Sequence, residues 1–196
     1  MKILREVGIT ILIAVAVFAL LQLTVQSYTV VMSSMEPNFQ EGECNMVNKM
    51  NYRSSGPQRG DVIVFRPPPP NEESPYPFIK RVIGLPGETV EIKDGKVFIN
   101  GIPLEEDEYI EAQPNYTMPA TEVPENEYFV LGDNRNNSTD SSKGWTVLQD
   151  NIIGKAWFTY WPPSKCKVVK HYSYPELNEA SEQEIMVSHA FGVQLE

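Results

Sequence analysis

The longest apolar run in the chain comes first. From Val7 to Val25 it reads VGITILIAVAVFALLQLTV, without a charge and with only Thr10, Gln22 and Thr24 as polar interruptions. As a helix this run spans about 28 Å, close to the hydrocarbon thickness of a bilayer. No Ala-x-Ala pattern follows it, so the run predicts a retained anchor rather than a cleaved leader. Lys2 and Arg5 precede it, and the next basic residue is Lys49. The excess of positive charge on the short side places residues 1–6 in the cytoplasm and the rest of the chain across the membrane. The expected organisation is a single-pass anchor over 7–25, an extracytoplasmic domain over 26–170 and an acidic tail over 171–196.

Beyond the anchor the pattern changes to short alternating runs bounded by turns, which predicts strands. "DVIVF" (61–65) reads as a buried strand and closes in "RPPPP", with an exposed polyproline-like connection as far as Pro77. "FIKRVIGLPGE" (78–88) predicts a strand ending in a Leu-Pro-Gly turn. "TVEIKDGKVFING" (89–101) predicts a hairpin, because Asp94-Gly95 suits a type I′ turn between two runs of β-formers. Residues 102–127, rich in Pro, Glu and Asn, read as an excursion from the core, a β-ribbon or long loop. "EYFVLGDNRNNSTDSSKGW" (127–145) is a short strand followed by a polar loop, and "IIGKAWFTYWPP" (152–163) is a long aromatic strand. The tail holds five glutamates without Lys or Arg, which reads as peripheral, with a short helix around 177–187. The expected fold is mostly β: an N-terminal transmembrane helix followed by an antiparallel β-sheet domain.

Composition narrows the functions. The 196 residues suit one domain, and 16 prolines and 12 glycines fit short strands and turns. Residues 1–30 carry a net +1 of the total of −10, so the exposed domain is strongly acidic and no nucleic-acid partner is expected. Cys44 and Cys166 are the only cysteines and form no metal-ligand pattern, so neither a zinc site nor a cofactor is expected. They suit either a disulfide or two buried free thiols.

Candidate chemistry centres on "VVMSSMEPNF" (30–39), with its adjacent Ser33 and Ser34. A serine hydroxyl needs a base to become a nucleophile. The chain has only His171 and His189, both in the tail, and it lacks a G-x-S-x-G elbow. A lysine can serve if burial lowers its pKa. The period of two in "FIKRVIG" puts Lys80 between Phe78 and Val82 on one face, with Ile79, Arg81 and Ile83 on the other. A snorkelling edge-strand lysine would give the same local pattern.

"SMEP" (34–37), "GDVIVFRPP" (60–68), "IKRVIGLPGE" (79–88) and "GDNRNNSTDS" (132–141) occur in this order behind an oriented anchor. Together they resemble the bacterial type I signal peptidases, or leader peptidases. The resemblance runs from the anchor to about Pro163. It implies a Ser-Lys serine endopeptidase in which Ser34 is the nucleophile and Lys80 the general base. It further implies that Ser138 hydrogen-bonds and orients the lysine, and that Asp140 is an acid near the site whose alternative role is a structural salt bridge. Asp133 and Arg81 are expected to pair and hold the lysine strand. Val30 and Ile79 match apolar substrate-pocket positions, with plain core packing as the alternative. The implied partners are exported preproteins, cut after small residues at −1 and −3, and the lipid bilayer, with the enzyme working as a monomer in a plasma or thylakoid membrane.

Two positions depart from the family pattern. Met32 stands where many members place a serine that donates to the oxyanion, and a thioether cannot donate. "DSSK" (140–143) replaces "DSR", with Lys143 as the candidate substitute for the arginine. These departures keep open a catalytically weak relative that binds exported segments without cutting. A different Ser-Lys protease, of the self-cleaving repressor kind, fits neither the anchor nor the lack of a DNA-binding segment. A non-enzymatic anchored β-domain would leave the pairing of "SMEP" with "FIKRVIG" as coincidence.

Overall fold

The computed structural model of the chain describes residues 2–52, 55–69 and 71–177, without the side chains of residues 4, 20, 21 and 23. Helix α1, Lys2–Thr24, runs with no linker into strand β1, Val25–Thr29. Val25, expected to end the anchor, is instead the first residue of the sheet and pairs with Asn48. The side chains of Val7, Ile9, Ile11, Leu12, Ile13, Val15, Val17 and Phe18 are exposed along α1. Among the described residues no helix is long and apolar enough to cross a membrane, so the fold by itself leaves the expected transmembrane span unsupported.

The expectation of a mostly β, antiparallel domain holds. The larger sheet has the order β1-β2-β11-β3-β4-β9-β10, with β12 beside β11. Its members are β2 (Cys44–Asn48), β3 (Val62–Phe65), β4 (Phe78–Gly84), β9 (Glu127–Leu131), β10 (Val147–Leu148), β11 (Ile152–Trp161) and β12 (Lys167–Val168). The smaller sheet runs β7-β6-β5-β8, built from β5 (Thr89–Lys93), β6 (Lys96–Ile99), β7 (Ile102–Pro103) and β8 (Met118–Glu122). Asp94 and Gly95 turn between β5 and β6 with φ of 50° and 75°, the left-handed pair a type I′ hairpin needs. Within segment 102–127, β7 and β8 supply both edge strands of the second sheet.

Three apolar clusters follow from strand alternation. On β3, Ile63 and Phe65 face one side and join Phe78 and Val82 of β4. Val62 and Val64 face the other side and join Val30, Met35, Phe39 and Val47. The third cluster packs Ile83, Phe129 and Leu131 against Val90, Ile92, Val97 and Ile99 of the small sheet. The start of the tail belongs to this cluster too. Tyr174 is buried, and Tyr172 and Leu177 pack against it, so residues 171–177 are not peripheral. Residues 175–177 are helical, whereas the rest of the helix expected over 177–187 lies outside the described residues.

Cys44 and Cys166 are both free, the first half-buried and the second exposed. Cys44 pairs with Trp161 along one edge of β11, while β12, which follows Cys166, pairs with Phe158 and Thr159 along the other. Two strand spacings, about 10 Å, separate those edges. A disulfide needs Cα atoms within about 7 Å. Neither the disulfide nor the pair of buried thiols describes this chain.

Candidate active site

Lys80 reaches its place because β4 is a central strand. Across it on β3 stands Ile63, and Phe78 and Val82 flank it on its own face. It is no snorkelling edge lysine, for it is only 2% exposed. Ser34 sits in the turn after Val30, in a loop anchored by buried Met35 and Phe39. Lys80 Nζ lies 2.7 Å from Ser34 Oγ and 3.0 Å from the carbonyl oxygen of Ile79. Burial pushes the Lys80 pKa down to about 8, against the upward pull of Asp140 and then Asp133. A fraction of the amine is thus free of its proton near neutral pH, and the adjacent hydroxyl is its nearest hydrogen-bond partner.

The loop after β9 clamps the serine loop from above. Asn134 donates its backbone N–H to the carbonyl of Ser34 at 3.1 Å and its side-chain amide to the carbonyl of Ser33 at 3.2 Å. Asn137 donates from Nδ2 to Ser33 Oγ at 3.0 Å. Ser33 is therefore engaged as an acceptor for this clamp, while Ser34 Oγ faces the lysine. Among the described residues the backbone N–H of Ser34 has no acceptor. Ser34 and Lys80 open onto a cleft of about 630 Å³, whose walls include Val31, Met32, Phe78, Asn137 and Ser138.

The other expected site residues fall into place unevenly. Arg81 and Asp133 form the expected pair, bidentate at 2.8 and 2.7 Å and fully buried. Asn38 donates to the same carboxylate at 2.8 Å, and Arg81 also donates to the carbonyl of Gly60 at 2.9 Å. Ser138 lines the cleft, but its Oγ has no hydrogen-bond partner among the described residues, so the expected bond to Lys80 is not made. The lysine's second bond goes to Ile79, whose carbonyl lies in the same strand. Asp140 is buried but has no ion-pair partner among the described residues. It caps the short 3-10 turn 141–143, accepting from the N–H and hydroxyl of Ser142 at 3.1 and 2.7 Å and from the N–H of Gly132 at 3.0 Å. Lys143, the candidate substitute for the family's arginine, holds its Nζ 5.4 Å over the ring of Tyr116. Val30 and Ile79 pack with Met35 and Val64 in the core rather than among the residues that line the cleft.

Among the described residues no histidine takes part in this arrangement. His171 Nδ1 lies 3.2 Å from Asp61 Oδ1, a carboxylate that also accepts from the hydroxyl of Tyr52. His189 lies outside the described residues.

A second buried ion pair escaped the sequence reading. Arg135 and Glu106 are bonded twice and sealed from solvent, and the Tyr109 hydroxyl donates to the same carboxylate. Arg135 Nε also donates to the carbonyl of Gly132 at 3.1 Å, so this pair supports the loop that clamps Ser34. The only hint in the sequence was an arginine amid the asparagines of "GDNRNN", and its partner lies 29 residues upstream.

With this geometry in hand, the comparisons with known proteins are direct. A family model described as "Signal peptidase, peptidase S26" matches residues 4–161. The chain is 47% identical to "Probable signal peptidase I-1" of Synechocystis over 67% of its length and 69% of the relative's. It is 39% identical to "Signal peptidase I" of Leptolyngbya laminosa, over 83% of its length and 80% of the relative's. It is also 40% identical to "Thylakoidal processing peptidase 1, chloroplastic" of Arabidopsis thaliana, over 68% of its length and 41% of that longer protein. With the matched region spanning most of the chain and enclosing both Ser34 and Lys80, the chain belongs to the signal peptidase family, peptidase S26.

Proposed function

We propose that the chain is a membrane-tethered serine endopeptidase that removes N-terminal signal peptides from exported preproteins, cutting after small residues at −1 and −3. The observation that carries this reading is the buried Ser34–Lys80 contact of 2.7 Å, with the lysine pKa lowered to about 8.

Neutral Lys80 accepts the Ser34 proton as Oγ attacks the scissile carbonyl, and Lys80 then protonates the departing amine. A water activated by the same amine hydrolyses the ester. The backbone N–H of Ser34 supports the developing oxyanion. Met32, half exposed at the rim, contributes surface to the cleft but no donor. Asp133 and Arg81 hold β4 against the loop that carries Asn134. Asp140 steadies that loop and adds negative charge near the ammonium. Ser138 presents a hydroxyl with spare bonding capacity at the cleft wall. Val30 and Ile79 act behind the cleft as packing that fixes the walls. All of these groups come from one chain, which fits a monomer.

The anchor belongs to the same proposal. The exposed apolar side chains of α1 suit lipid, and Leu20, Leu21 and Leu23, whose side chains are not described, continue the same uncharged run. A bilayer seat with Lys2 and Arg5 in the cytoplasm puts the cleft on the far side. There a preprotein's cleavage region emerges, and tethering raises its effective concentration. The membrane is a plasma or thylakoid membrane. The full chain in vesicles should cleave a preprotein, and Ser34→Ala and Lys80→Ala should each abolish cleavage while still folding. Cleavage retained by either variant would refute the dyad.

A further inference from the structure

From the way residues 171–177 cross the domain, we infer that this segment is a strap that positions the active-site loop, with Tyr172 and Tyr174 as its two positioning residues. The inference rests on the Ser34–Lys80 reading. It adds to that reading a part of the chain that lies beyond the region matched by the family model, which ends at residue 161.

The strap begins where His171 meets Asp61. Its next residue sets its ring against the buried arginine of the site. The Arg81 guanidinium is 4.9 Å from the Tyr172 ring and 4.4 Å from the Tyr109 ring, and the two rings are 4.8 Å apart. Arg81 is thus bonded to Asp133 and packed against a tilted pair of tyrosine rings that also touch each other, cation–π contacts that suit a guanidinium. The backbone fits as closely as the ring. A Cβ on Gly60 would lie 2.3 Å from the Tyr172 carbonyl oxygen, so only glycine lets the strap seat there. That same Gly60 accepts from Arg81 through its carbonyl.

Two residues on, Tyr174 is buried, and its hydroxyl lies 2.8 Å from that of Tyr109. Tyr109 in turn bonds Glu106, and Glu106 holds Arg135. The strap then ends on Glu176, which accepts from the N–H of Glu105 at 3.0 Å. So it contacts the Arg81–Asp133 pair directly and reaches the Arg135–Glu106 pair through Tyr109. Their loop-side members, Asp133 and Arg135, flank Asn134, the residue bonded to the Ser34 carbonyl. Fixing those two neighbours fixes the height of Ser34 over Lys80, and small errors in such a placement cost rate steeply.

The test uses the full chain in vesicles with a preprotein substrate. Tyr172→Phe keeps the ring and should behave as wild type. Tyr172→Leu fills the space without an aromatic face and should lower kcat about tenfold with KM nearly unchanged. Its pH–rate midpoint should move up from about 8, because a loosened loop admits water to Lys80. Tyr174→Phe deletes a single hydroxyl and is the milder variant should Tyr172→Leu not fold. It should lower kcat about threefold and shift the midpoint the same way. Wild-type kcat and midpoint in the folded variants would overturn the strap. So would a rate loss that tracks melting temperature and leaves the midpoint in place. Ser34→Ala, run alongside, separates the two ideas: if it still cleaves, the dyad fails, whatever the strap variants do.

Discussion

Gly132 and Ser34 approach so closely that a Cβ on the glycine would lie 2.4 Å from the Ser34 carbonyl oxygen, and 2.3 Å from Ser138 Oγ. No side chain fits between the clamp loop and the nucleophile loop. Gly132→Ala must push the two apart, which breaks the Asn134 bond to Ser34 and lengthens the reach of Lys80. The expected result is a loss of kcat of about 100-fold or more, with about 1–3 kcal/mol of stability lost to the crowding. Preprotein cleavage and urea unfolding of the same variant check both halves.

The rate should follow the deprotonation of Lys80. With a pKa of about 8, kcat/KM should rise nearly tenfold per pH unit below pH 7, reach half its maximum near pH 8 and level off above it. Asp140 favours the charged amine, so removing its charge lowers the lysine pKa. Asp140→Asn should therefore move the midpoint to lower pH, and a shift to higher pH would contradict this account of the site.

The same burial carries a stability cost. A lysine whose pKa falls on folding is harder to keep protonated in the native state. Below pH 8 the whole penalty is present, and between about 8 and 10.5 the native state sheds its proton first and gains stability as pH rises. Lys80→Met removes the penalty, so at pH 7 the inactive variant should be about 1–3 kcal/mol more stable than wild type. Near pH 10.5 the two should converge, as chemical denaturation at both pH values would register.

Breaking the second buried ion pair should cost far more than removing a surface charge. Glu106→Ala strands Arg135, which has no exposure with which to find water. A loss of about 3–5 kcal/mol is expected, against under about 1 kcal/mol for Glu105→Ala, whose pairing with Lys96 is exposed. Urea midpoints of the two variants decide it.

Local rules carried the sequence reading a long way. Asp94-Gly95 announced its hairpin because a type I′ turn has a two-residue signature. Lys80 was legible because alternation on β4 set it between Phe78 and Val82, which is where it lies. What escaped was non-local. Strand β2 was not recognised, because "CNMVN" becomes a strand only by lying between β1 and β11. The Glu106–Arg135 pair has no periodicity to betray it. The asparagines of "GDNRNN" read as loop polarity, though two of them clamp Ser33 and Ser34. The tail looked solvated by composition, but Tyr172 and Tyr174 find partners that only the folded domain assembles. Ser138 lines the cleft without a bond partner among the described residues, and Asp140 commits its carboxylate to Ser142 and Gly132, details that motif spacing does not encode.

The two cysteines on opposite edges of β11 have a consequence for when this protein can work. Nothing in its fold waits on an oxidant, so the domain is complete as soon as the chain has collapsed. Its melting temperature should be the same with and without reductant. A signal peptidase built this way can process its substrates under reducing and oxidising conditions alike.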